Sequence, residues 1–220
     1  MDDFDRELIE AQEQRSQAWR DARAGKFTAS EMWRLMTSPR SKTAEFSDTA
    51  MTYIMTKVAE EITGRVHETG PAYPLVWGEE QEPIAKQYIQ EKLGIQIRPA
   101  GFVIRNAHSG GTPDGYIGDD ELLEIKCPFN SANHVEYLLL QTPEDLLDFK
   151  PQNFYQVHTN MLFCNLQKSR LISYDGRFPD SNQLAILSIP ADAEVQAAII
   201  QRLDKAIQKK VEILKNFELP

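Results

Sequence analysis

The stretch at 112–128, Thr-Pro-Asp-Gly-Tyr-Ile-Gly-Asp-Asp-Glu-Leu-Leu-Glu-Ile-Lys-Cys-Pro, constrains the fold of this chain more than any other. Strand side chains alternate between faces, so Leu122, Glu124 and Lys126 share one face and Leu123, Ile125 and Cys127 the other. One face is ionic, the other apolar. A hairpin centred on Asp119, turning at Gly118-Asp119-Asp120, sets Asp114 opposite Glu124, so that the two carboxylates point to the same side as neighbours. Like charges held side by side are costly, and a nearby lysine offsets the repulsion only in part. A divalent cation removes the conflict, and magnesium in particular takes one or two carboxylates while keeping waters and phosphate oxygens. Such a metal acidifies bound water and neutralises charge developing on a phosphate, with Lys126 placed to hold the attacking water or help deprotonate it. Glu-x-Lys is a common tripeptide, however, and by itself it points to a solvated surface hairpin more often than to such a site.

A third carboxylate narrows the choice. The pattern predicts a helix over 76–93, ended by Gly94, on which Glu82 shares a stripe with Ala85, Ile89 and Leu93 while Glu80 projects to the opposite side. An acid on a face that packs against a sheet needs a partner.

The rest of the chain reads as an α/β layer structure with a mixed sheet. A first helix runs through the acidic N-terminal segment to about Arg23 and stops at Gly25. Thr28-Ala29-Ser30-Glu31 reads as a capping box that opens a helix through Met36, and Ser47 opens another that Gly64 closes. Residues 66–74 form a loop. Strands follow over 95–98, 102–105, 116–117 and 122–127, then helices over 131–140 and 152–162, strands over 170–174 and 184–189, and a long last helix marked by Val195, Ile199, Leu203, Ala206, Val211 and Leu214. The expected organisation is one domain over 1–220: an N-terminal helical part at about 1–64, a core that carries the ionic hairpin at about 75–190 and a C-terminal helix at about 191–216.

Composition excludes several classes. Two cysteines and four histidines without paired spacing make zinc and iron–sulfur chemistry poor fits. No signal peptide or run of eighteen apolar residues is found, so the expected location is the cytoplasm. The net charge of −9 argues against a polyanionic partner, but its distribution does not. From Arg15 to Lys42 seven basic residues stand against two acidic ones, whereas from Asp48 to Lys150 seventeen acidic residues stand against eight basic ones. A basic edge beside an acidic body suits a protein that grips a polyanion at one place and a cation at another.

Pro113-Asp114 and Glu124-Ile125-Lys126, with Glu82 upstream and Gln156 downstream, resemble the PD-(D/E)xK nuclease superfamily, and more narrowly the lambda-type (YqaJ-like) viral recombinase exonucleases. Trp19-Arg20-Asp21-Ala22-Arg23, Leu75-Val76-Trp77-Gly78, Thr112-Pro113-Asp114-Gly115, Leu123 to Phe129 and Gln156-Val157 fall in that family's order, over roughly 15–190. The resemblance implies a restriction-endonuclease-like core, a central mixed β-sheet flanked by helices. It further implies two Mg²⁺ ions, with Mn²⁺ able to substitute, held by Asp114, Glu124, the Ile125 carbonyl and Glu82, with Lys126 assisting the water and Gln156 contacting phosphate or water. A 5′-phosphate pocket maps to Arg23, Ser30 and Thr112; an anion at Ser30 also suits the first turn of a capped helix. Leu75 corresponds to an apolar wedge and Arg40 to a DNA-contacting arginine. His158 stands where a second glutamine is expected and is given no role; Trp19 and Trp77 are read as packing residues, and His108 and His134 as surface residues or as satisfied by local hydrogen bonds.

The activity implied is a 5′-to-3′ exonuclease that turns one strand of linear duplex into mononucleotides and leaves a 3′ tail, assembled as a homotrimeric ring and working with a single-strand annealing recombinase. Two other readings stay open: a related nuclease without the ring, endonucleolytic or partner-dependent, and a catalytically silent DNA-end-binding module.

Overall fold

The computed structural model of the chain describes residues 17–66 and 73–217. The acidic N-terminal segment and most of the loop expected at 66–74 lie outside them. Helix α1 (Gln17–Arg23) ends at Gly25, whose φ of +70° is the left-handed conformation open to glycine. Strand β1 (Phe27–Thr28) leads into a 3-10 helix, Ala29–Arg34, and α2 (Asp48–Thr63) follows. Ser47 caps α2 by accepting from Ala50 N, and Gly64 closes it in the left-handed region, as the sequence indicates.

Next come α3 (Tyr73–Leu93), β2 (Ile97–Arg98), β3 (Val103–Asn106), β4 (Ser109–Gly111), β5 (Gly115–Ile117) and β6 (Glu121–Lys126). After β6 the chain forms α4 (Ser131–Leu139), α5 (Pro143–Phe149), α6 (Pro151–Cys164), β7 (Lys168–Tyr174), β8 (Leu184–Pro190) and α7 (Ala193–Leu214).

The strands form two sheets rather than one. The larger has the order β2-β5-β6-β7-β8, with β6 and β7 parallel and the other pairs antiparallel; the smaller has the order β1-β4-β3. A parallel pair needs a long crossover, and α4, α5 and α6 supply it between β6 and β7. The β5–β6 hairpin turns at 118–120 with Gly115 opposite Leu123 and Ile117 opposite Glu121, so the register carries Asp114 opposite Glu124. This is the hairpin that the alternation predicts.

Both faces of β6 are covered. Leu123 and Ile125 pack with Ala85 and Ile89 of α3 and with Ile172 and Tyr174 of β7. Leu122 packs on the other face with Phe154, Val157 and Met161 of α6. A third cluster joins Met32, Leu35, Tyr53 and Ile54 to Ile199, Leu203 and Ala206 of α7. Burial on this scale is the main stabilising term in such a layer structure.

Three expectations are corrected. The segment after Thr28 is a 3-10 helix, and Thr28 makes no side-chain cap: Glu31 pairs with Arg34 instead of reaching back. The helix expected from 76 begins at Tyr73. The strand β4 and the helix α5 have no counterpart in the sequence reading.

Candidate active site

The ionic face of β6 ends in a cleft of about 830 Å³ between α3, α6 and the segment from α1 to the 3-10 helix. Its lining brings together Asp114, Glu124, Ile125, Lys126, Glu82, Gln156, Arg23, Ser30, Thr112 and Leu75. Arg40 does not line the cleft, and its side chain is exposed elsewhere. A larger, more open groove along the outer face of α2, at Met51, Met55 and Ala59, contains none of the β6 ionic residues.

Position on the strand explains the floor. Glu124 is buried on the face that α6 covers, and its Oε1 accepts from Lys126 Nζ at 2.7 Å. From α6, Gln156 Oε1 accepts from the same ammonium at 3.1 Å, and Asn160, one turn on, approaches Glu124 Oε2 with its Nδ2 at 3.4 Å. Asp114 precedes β5, and its Oδ2 accepts from Ile125 N at 2.6 Å, which ties the start of one strand to the end of its neighbour. From α3, Glu82 lines the cleft wall on the same side of the helix as Ala85 and Ile89, as its stripe predicts. The partner it needs is Lys86, one turn on at 2.7 Å.

Electrostatics follow from crowding. Burial and then the neighbouring Glu124 raise the Asp114 pKa well above its ordinary value, with Glu82 adding to the effect and Lys126 opposing it. Burial likewise raises Glu124 against the pull of Lys126. For Lys126 burial opposes the charge, but Glu124 and then Asp114 outweigh it, so its pKa is raised and the ammonium stays charged. Among the described residues no three His, Cys, Asp or Glu side chains form a ready metal cluster. Glu82, paired with Lys86, lines the same cleft as Asp114 and Glu124 and adds to the negative field on both.

The opposite wall is basic and aromatic. The Arg23 guanidinium lies 3.9 Å over the Trp19 ring, and Trp19 Nε1 donates to Thr112 Oγ1 at 3.2 Å. Burial lowers the Arg23 pKa, with Tyr53, Glu60 and Glu31 opposing it, yet a guanidinium has ample margin to remain protonated. Ser30 sits in a short 3-10 helix, so the favourable amides of a capped α-helix are not what Ser30 contributes.

Behind this wall the Gly25 turn is held by buried charges. Gly25 N donates to Glu60 at 3.1 Å, its carbonyl accepts from Lys210 Nζ of α7 at 2.5 Å, and Lys210 also pairs with Glu61 at 2.6 Å. Lys210 is fully buried, and a Cβ on Gly25 would lie 2.6 Å from Glu61 Oε2.

One neighbour of the site, Asn160, was not singled out by sequence reasoning. Asn160 follows Gln156 at the i+4 spacing that puts both on one helix face, and the same spacing stacks Trp19 on Arg23. His134 is buried and bonded to Ser173 Oγ and the Asn182 carbonyl, whereas His158 is buried against Phe154 with its pKa pushed down to about 4 by burial.

Comparisons with known proteins place the fold among exonucleases. The chain is similar to an alkaline exonuclease, LHK-Exo, from Laribacter hongkongensis: 26% identity and a TM-score of 0.77, covering 91% of this chain and 95% of that one. The same protein in complex with dAMP gives 27% identity and a TM-score of 0.76 with the same coverage. A phage-related exonuclease from Haemophilus somnus 129PT, 16% identical with a TM-score of 0.72, covers 88% and 96% and shares the fold. No curated protein matches the chain significantly. The fold is the restriction-endonuclease-like α/β arrangement of these exonucleases, and the chain is homologous to DNA nucleases. With the model of the YqaJ-like viral recombinase domain matching residues 18–167, the chain belongs to that family.

Proposed function

We propose that this protein is a divalent-metal-dependent 5′-to-3′ exonuclease that digests one strand of linear duplex DNA and leaves a 3′ single-stranded tail for recombination. One observation carries the reading: two partly or fully buried carboxylates, Asp114 and Glu124, sit beside a charged lysine at the floor of a cleft with a basic wall, Asp114 raised in pKa by burial and then by Glu124, and Glu124 by burial and then by Glu82. Hard oxygen donors whose ionised forms are disfavoured together fit a magnesium or manganese ion, which relieves that repulsion. Asp114, Glu124 and the Ile125 carbonyl would hold it, with Glu82 within the same cleft. When bound, such an ion activates water and neutralises charge on the phosphate.

The chain's own groups divide the remaining work. Lys126, an ammonium in the metal-free site that donates to Glu124 and Gln156, is placed to hold the attacking water or help deprotonate it and to stabilise negative charge. Gln156 aims the ammonium and contacts water or phosphate. Arg23 offers a planar fork to the 5′-phosphate, fixed by its stack on Trp19, with Thr112 and Ser30 completing the pocket. Leu75, exposed on the wall, is the apolar wedge against the terminal base pair, and Arg40 meets DNA outside the cleft. A homotrimeric ring would surround the duplex with the basic segment and leave the acidic body outside, and a single-strand annealing recombinase is the expected partner for the tail. Digestion of 5′-phosphorylated linear duplex, with and without magnesium and against a covalently closed circle, tests the reading. Metal-dependent loss of the linear substrate alone is expected; cleavage of the circle would replace it with an endonuclease.

A further inference from the structure

Beside the cleft mouth, the first turn of α3 and the loop after β6 build an exposed aromatic ledge. Tyr73 is 65% exposed and Phe129 41%, with their ring centroids 4.9 Å apart and nearly perpendicular. Trp77 backs Phe129 edge-on at 5.9 Å, and the Arg177 guanidinium covers Trp77 at 4.8 Å. Arg177 is itself fixed: it forks onto Asp175, at 2.7 Å and 2.8 Å, and donates to the carbonyls of Pro128 and Phe129 at 2.9 Å and 3.0 Å. Two large rings are thus held in water by a rigid support, although neither helix packing nor the core requires them there.

The ledge is continuous with the cleft. Pro74 and Leu75, which follow Tyr73, line it, and so does Cys127, two residues before Phe129. We propose that Tyr73 and Phe129 form a stacking platform for unpaired DNA bases, taking up the strand parted from its complement at the cleft mouth. Every base has a π-face, so such a platform binds single strands without regard to sequence, and a nuclease that consumes whatever lies at an end needs that tolerance. The inference rests on the nuclease reading for where the unpaired strand comes from, but the platform can be measured without hydrolysis.

The experiment is fluorescence anisotropy of a labelled oligothymidylate, and of the same backbone with abasic sites, on the full chain in chelator. Phe129→Ala and Tyr73→Ala should each weaken binding of the oligothymidylate roughly 5- to 100-fold, the loss expected for one base stack. Both should leave the abasic strand unaffected, and Phe129→Tyr and Tyr73→Phe should bind as wild type does. A variant that merely loosened the fold would weaken both probes alike, which would overturn the proposal, as would full oligothymidylate affinity in both alanine variants. A change in oligomeric state without a change in base-dependent binding would assign the ledge to contacts between copies and overturn it too. Wild-type chain that binds the bases through the ledge yet fails to cut linear duplex would sink the nuclease reading alone, because the binding arm needs no cleavage.

Discussion

Removing the Lys126 side chain should destabilise the metal-free protein, and adding magnesium should restore part of the loss. Glu124 is 3% exposed in its side chain and Lys126 24%, with 2.7 Å between Oε1 and Nζ. Breaking a fully buried pair costs about 3–5 kcal/mol, since the surviving charge is left uncompensated. Two features reduce that figure here. Lys126 is partly solvated, and Glu124, whose pKa burial already raises, can protonate and keep a contact with Asn160 at 3.4 Å. About 2–3 kcal/mol is then expected for Lys126→Met, or roughly 4–12 °C in Tm for a chain of this size. Thermal melts in chelator measure it, and the double variant Glu124→Gln/Lys126→Met should recover much of the loss because no charge remains to be stranded. Magnesium should narrow the gap between wild type and Lys126→Met, with the cation standing in for the lost ammonium. Wild-type melting of Lys126→Met in chelator, or a double variant that melts no higher than Lys126→Met, would refute the reasoning.

Arg23→Ala should lower the preference for a 5′-phosphate over a 5′-hydroxyl roughly ten- to a hundredfold, as the loss of one charge-assisted contact would, and paired digestions of the two ends by wild type and variant decide it. Asp114→Asn should abolish cleavage yet raise Tm in chelator at neutral and alkaline pH. The stability contributed by the protonated carboxyl is fully present below its ordinary 3.8 and is lost as pH rises through the raised folded value, whereas an amide still accepts from Ile125 N and does not titrate. Melts of both proteins across pH should therefore diverge upward from the acid side, and parallel curves would count against the crowding of Asp114. Lys210→Met should lower Tm by roughly 2–12 °C, since it leaves the Gly25 carbonyl without its donor and Glu61, a third exposed, without its partner at about 1–3 kcal/mol, and melting curves at neutral pH check this.

The hairpin that carries Asp114 and Glu124 was legible because two independent rules met there: alternation assigned the faces of β6, and an odd-numbered turn at Gly118 set the register. Helix α2 was legible from its caps, and the orientation of α3 from the single acid on its apolar stripe. What escaped has physical reasons. β4 is Ser-Gly-Gly and carries no apolar period; the glycines are there for closeness, since a Cβ on Gly110 would lie 2.5 Å from Phe102 and one on Gly111 2.5 Å from Asn160 Oδ1. The box at Thr28 failed because local rules compete with tertiary ones: Thr28 N is taken by the Tyr53 hydroxyl at 2.9 Å, and Glu31 finds Arg34. Helix α5 could have been read, for Thr142, Pro143 and Asp145 form a full capping box. The buried tie from Lys210 to Gly25 joins residues 185 apart in sequence, and no pattern within one element could signal it.

That tie also decides where this protein can be cut. The family match ends at residue 167, but Lys210 holds the turn behind Arg23, and Ile199, Leu203 and Ala206 cover the apolar side of the 3-10 helix and α2. A fragment trimmed to the matched segment would keep every side chain on the cleft floor but lose β7 and β8 from the sheet that carries β6 and, with α7, the brace of the wall that faces it. It would also expose the cluster that α7 seals. The last helix therefore acts as a keystone: following the strands and the crossover in sequence, it locks the turn at Gly25 against the site. Engineering of tags, fusions or truncations in this protein should leave α7 whole.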